Sequence, residues 1–133
     1  MLNHDFTKYS LVLIKDDNTI FSSDKSGLRP LIECVRKYKS KFNKCTLHDK
    51  VVGLASARLI VCFDGISLVI SNVISESANE LLSKNKIKIE TKKIVKNILN
   101  KDKSSICPME LKAQIIENNE KFFLELKDLF RMN

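Results

Sequence analysis

Residues 66–74, Ile-Ser-Leu-Val-Ile-Ser-Asn-Val-Ile, form a nearly continuous run of β-branched and aliphatic side chains. Such a run suits a strand covered on both faces, and strands of that kind lie inside parallel sheets. A parallel strand demands crossover connections, so the flanking segments must supply helices. Ser75 follows the run in N-cap position, with Glu76 and Glu80 in the early turns of a helix carrying Ala78, Leu81 and Leu82. On the other side, residues 50–63 predict a helix capped by Asp49 and thinned for close packing by Gly53, Ala55, Ser56 and Ala57.

The rest of the chain extends this pattern. Residues 11–14 and 19–21 read as two strands joined at Asp16-Asp17-Asn18, a β-hairpin turn. Leu28, Leu31, Ile32, Val35 and Tyr38 recur at helical spacing, with Pro30 in the first turn. A short strand is predicted over residues 44–48 and an edge strand over 87–89, blunted by its lysines. Ile94, Ile98 and Leu99 predict a further helical turn or two. A last helix begins at Cys107-Pro108-Met109-Glu110, and Phe122, Phe123, Leu126 and Leu129 continue its stripe. The order predicts one domain over residues 1–133. It is a three-layer α/β/α fold whose mixed sheet has about five strands, the N-terminal hairpin plus parallel strands, with helices on both faces. In such sheets ligands sit beyond the carboxyl ends of the strands, which directs attention to the helix starts at Asp49, Ser75 and Cys107.

Composition removes several classes of function. With 3 Gly and 2 Pro in 133 residues there is no Gly-rich phosphate loop and no dinucleotide-binding fingerprint. The net charge of +7 makes contact with anions easy, but only Arg29, Arg36, Arg58 and Arg131 are arginines, which disfavours base-specific readout. The excess lies in residues 36–44 and 84–103, and the longer stretch, 84–103, lacks the interleaved aromatics that stack single-stranded bases. Weak, non-sequence-specific binding of nucleic acid needs only the charge. Cys34, Cys45, Cys62 and Cys107 form no C-x-x-C pair and two sit in apolar surroundings, as reduced thiols of a cytoplasmic protein do. No signal-like N-terminus and no membrane-length apolar segment is expected.

Three separated motifs are carried in order: the run Asp49-Lys50-Val51-Val52-Gly53-Leu54-Ala55-Ser56-Ala57, the strand and cap Val73-Ile74-Ser75-Glu76, and Cys107-Pro108-Met109-Glu110. Together they resemble the DUF1893 family, a prokaryotic family of unknown function, over roughly residues 8–126. The resemblance implies a cytidine-deaminase-like fold. Zinc deaminases of that fold place H-x-E or C-x-E at one helix start and P-C-x-x-C at the next. Here the helix starts matched to them read Asp49-Lys50-Val51 and Ser75-Glu76-Ser77-Ala78, so metal ligands and proton shuttle are both missing, and neither metal nor cofactor is expected. Cys45 and His48 do not replace them, because residues three apart on a strand point to opposite faces.

The candidate residues follow from these placements. Asp49, Lys50, Gly53, Ser75 and Glu76 stand where a polar ligand would be oriented, although Asp49 and Ser75 are equally explained as caps. Cys107, Pro108 and Glu110 have the spacing of a capping box with a thiol in place of the hydroxyl, and the helix start would lower that thiol's pKa. Cys107 and Glu110 are therefore the candidate catalytic pair, with a redox-sensing Cys107 and a purely structural cap as the other readings. The expected function is binding of a small polar metabolite, nucleotide-like by fold, in a cleft at the strand ends. The alternative is a non-catalytic interaction module, a homodimer holding RNA or a protein through its basic stretch or last helix.

Overall fold

A computed structural model describes residues 6–98 and 113–129. The hairpin is formed by β1 (Leu11–Lys15) and β2 (Asn18–Ser23), antiparallel, with Asp16 and Asp17 at φ 50° and 65° in its turn. Left-handed geometry is tolerated best by Gly, Asn and Asp, which is why the acidic pair marks this turn. Helix α1 (Arg29–Tyr38) has Pro30 in its first turn and buries Leu31, Ile32, Cys34 and Val35. Then come β3 (Cys45–Asp49), β4 (Val51–Val52), α2 (Leu54–Phe63), β5 (Ile66–Ser75), α3 (Glu76–Lys84) and β6 (Lys88–Val95). After a helical turn at residues 113–115, α4 (Asn119–Leu129) closes the described chain. The predicted helix start at Cys107 and the position of Leu99 lie outside the described residues.

The sheet runs β2-β1-β3-β5-β6, with β4 on the same edge of β5 as β3. Both β3 and β4 are parallel to β5, and their partners lie the same number of residues ahead on either side of Lys50. The two are one line interrupted at Lys50, so six strands occupy five positions. β5 is thereby flanked along its length, as its composition requires. The architecture is a mixed sheet with helices, of the three-layer α/β/α kind.

Two expectations are corrected here. The helix placed over residues 50–63 begins later: Asp49 belongs to β3 and does not cap α2, whose N-cap is Gly53. Val51 and Val52 are β-branched and find ready partners in Val73 and Ile74, so the chain stays extended for three more residues. The edge strand placed at 87–89 extends to Val95, and Ile94 lies in it rather than in a helix. Here β5 offers an open edge from Leu68 to Ser75, and pairing along it overrides the spacing of Ile94 and Ile98.

Helix α2 packs against both α1 and α3, and α4 lies over α1 and α2. Leu13, Leu47, Val69, Ile60, Phe63 and Phe122 are at most 1% exposed and hold this layer to the sheet. On the sheet face opposite Leu47, the ring of Phe6 stands 6.5 Å from that of His48. Arg58 of α2 is buried, yet its guanidinium donates to the carbonyls of Ala113 (2.8 Å), Ile116 and Glu117 (2.9 Å) and lies 4.5 Å from the Phe122 ring. Gly65, between α2 and β5, is fixed by crowding: a Cβ there would stand 2.0 Å from the Phe42 carbonyl oxygen.

Candidate functional site

At the end of the sheet where β2 and β3 finish and β1 begins, Ser10 stitches three segments together. Its backbone N–H donates to Ser23 O (2.9 Å), its carbonyl accepts from Lys50 N–H (3.0 Å), and its hydroxyl donates to the Ser23 and Lys25 carbonyls. Gly27, at φ 77°, turns the chain from β2 into α1 in a conformation that strains any other L-residue. Ahead of α2, Gly53 supplies no side-chain cap. Between these two helix starts opens a cavity of about 700 Å³, within the range of roughly 300–1,000 Å³ usual for small-molecule sites.

Asp49, Lys50 and Gly53 line this cavity. Burial pushes the Asp49 carboxyl up to about 8, against the Val51 N–H that donates to it and acts in the opposite direction. A carboxyl of that kind exchanges its proton near neutral pH and can donate or accept a hydrogen bond. Behind it, burial pushes the Cys34 thiol up to about 12, with Cys45 and Asp49 adding to the effect, so Cys34 is an inert core thiol. Lys50 O accepts from Asn72 N–H (3.1 Å), Val73 N–H (3.2 Å) and the Ser71 hydroxyl (3.2 Å), which ties the break in the strand to β5.

Ser75 and Glu76 follow Ile74, the partner of Val52, and so open α3 beside Gly53. The Ser75 hydroxyl accepts from Ala78 N–H at 3.2 Å and caps α3, and neither residue lines the cavity. Cys107 and Glu110 lie outside the described residues. The helix starts that border the cavity are those of α1 and α2, and α2 is one of the two helices matched to the zinc motifs from sequence, its start moved from Asp49 to Gly53. The starts of α1 and α2 read Leu28-Arg29-Pro30-Leu31 and Gly53-Leu54-Ala55-Ser56, with neither thiolate nor imidazole to offer a metal. Among the described residues no three His, Cys, Asp or Glu gather into a metal site, and no helix is long and apolar enough to cross a membrane.

The cavity also recruits Lys8, Ser10, Asp24, Lys25, Ser26 and Ser56, which sequence reasoning passed over. A signal was there: the pair Asp-Lys occurs ahead of both α1 and α2, at 24–25 and 49–50. Both pairs line the cavity.

The comparisons with known proteins bear on the fold and the family. A crystal structure of a DUF1893 family protein from Thermotoga maritima superposes with a TM-score of 0.81 at 24% identity, covering 92% of this chain and 81% of that one. At that identity the likeness speaks for the fold. No curated protein matches. The family model described as a domain of unknown function, DUF1893, matches residues 3–130, nearly the whole sequence. The chain therefore belongs to the DUF1893 family.

Proposed function

We propose that this protein binds a small polar metabolite, nucleotide-like in size, in the cavity between the starts of α1 and α2. The observation that carries the reading is the enclosure of Asp49, with its raised carboxyl pKa, on the wall of a ligand-sized cavity at the strand ends. Buried, free Cys34, Cys45 and Cys62 suit a reducing compartment, and the reading places the protein in the cytoplasm. Cys107 and Glu110 are the first groups to substitute in a search for turnover.

A thermal-shift panel of nucleobases, nucleosides, nucleotides and sugar phosphates, with and without chelator, tests it. Saturation near a hundred times Kd adds about 2.7 kcal/mol, several degrees in Tm for a domain of this size. The expected shift survives chelator and disappears in Ser26→Trp, which fills the mouth from an exposed loop. A shift that chelator abolishes, or that Ser26→Trp leaves intact, overturns the reading.

A second reading rests on β6, where Ile94 is 53% exposed between Lys93 and Val95 and Lys92 and Lys93 face solvent. As a non-catalytic module, alone or as a homodimer, the chain would hold RNA or a protein along this strand. Lys-to-Glu changes at Lys92, Lys93 and Lys96 would then remove partner binding and leave the thermal-shift panel unchanged.

A further inference from the structure

Lysines reach the cavity from three separate stretches of chain: Lys8 ahead of β1, Lys25 between β2 and α1, and Lys50 between β3 and β4. Two acidic residues, Asp24 and Asp49, share the lining, and burial favours the neutral form of Asp49 at pH 7. The balance of charge is therefore positive. Lys25 leans on Glu33 at 3.8 Å, a carboxylate that Arg29 also approaches at 3.9 Å, while Lys8 and Lys50 form no ion pair among the described residues. Part of the remaining wall is apolar, with Leu28, Pro30, Val51 and Ile98 along it beside the hydroxyls of Ser10, Ser26 and Ser56. A cation would meet a positive field, and a bare inorganic ion would leave most of the 700 Å³ empty.

Resting on the reading of this cavity as a ligand site, we propose that it takes a small organic anion, with its phosphate or carboxylate set among Lys8, Lys25 and Lys50 and its apolar body against Leu28, Pro30, Val51 and Ile98. Flexible lysine ammoniums serve either anion as point charges, without the planar fork that would select one geometry.

The test is an amide NMR titration of the full chain with four probes: phenyl phosphate, benzoate, benzyl alcohol and inorganic phosphate. The expected result is movement of the Gly27 and Gly53 amides, with phenyl phosphate or benzoate binding at least about tenfold tighter than benzyl alcohol or inorganic phosphate. The double charge reversal Lys8→Glu with Lys50→Glu, at two exposed positions, should erase that preference with Tm unchanged. A ratio favouring phenyl phosphate or benzoate says which anion the site takes. Benzyl alcohol binding as well as the anions overturns the anion class and leaves the cavity a ligand site. Inorganic phosphate binding as tightly as phenyl phosphate overturns the apolar half. Silence toward all four probes, with a shift in the metabolite panel, also overturns the anion proposal; silence in both removes the ligand site as well.

Discussion

Arg58 and Asp49 are both ionisable groups in poorly hydrated places, and their surroundings treat them in opposite ways. In the helix layer, burial lowers the pKa of Arg58, but three backbone carbonyls receive its guanidinium and the Phe122 ring covers it. At the strand end, one backbone N–H supports Asp49, which stands on the wall of the cavity. A buried charge whose donors are met by backbone holds segments together. One that the fold leaves short of partners is held neutral instead, with a proton that an oxygen of a ligand can accept.

The widest break in this contrast should come from Arg58→Leu. It strands carbonyls at Ala113, Ile116 and Glu117 and should lower stability by about 4 kcal/mol, read by urea denaturation. A loss under 1 kcal/mol would make the clamp dispensable. At the far end of α2, Gly65→Ala drives a methyl group into the Phe42 carbonyl and should remove about 3 kcal/mol, with no effect on ligand binding at the opposite end of the sheet.

Asp49→Asn should behave the other way. Because the folded carboxyl titrates near 8 and the unfolded one near 3.8, the native state holds a proton the unfolded state has released between those values. Wild-type stability therefore falls by several kcal/mol as pH rises from about 4 to 8, and the Asn variant should lack that slope and gain on the wild type across the same range. Parallel pH–Tm curves for the two proteins would refute the raised pKa. The smallest effect belongs to Ser75→Ala, about 1 kcal/mol from the lost cap of α3, with metabolite shifts retained because Ser75 does not line the cavity.

Much of the fold was legible because its signals are local. The Asp16-Asp17 turn, Pro30 in the first turn of α1, and the Ser75 cap each follow from one residue's own stereochemistry. Asp49 misled because an acidic residue ahead of an apolar run reads as a cap, and only pairing with β5, more than twenty residues away, keeps Val51 and Val52 extended. Ile94 failed for the same reason: the edge of β5 decided its conformation. The site was half visible. Asp49, Lys50 and Gly53 announce themselves ahead of a helix, whereas Lys8, Asp24 and Lys25 reach the same cavity through the antiparallel return of β1 and β2, which no spacing in the sequence encodes.

The carbonyl of Lys50, which gathers the Asn72 and Val73 amides, gives this protein an internal gauge. Lys50 lines the cavity on one side, and its carbonyl secures the central strand on the other. A molecule that settles against Lys50 stiffens or loosens those two bonds, so deuterium uptake at Asn72 and Val73 should change when the cavity fills while the amides of the hairpin turn keep their rates. Occupancy can then be followed from inside the sheet, with no label on the ligand.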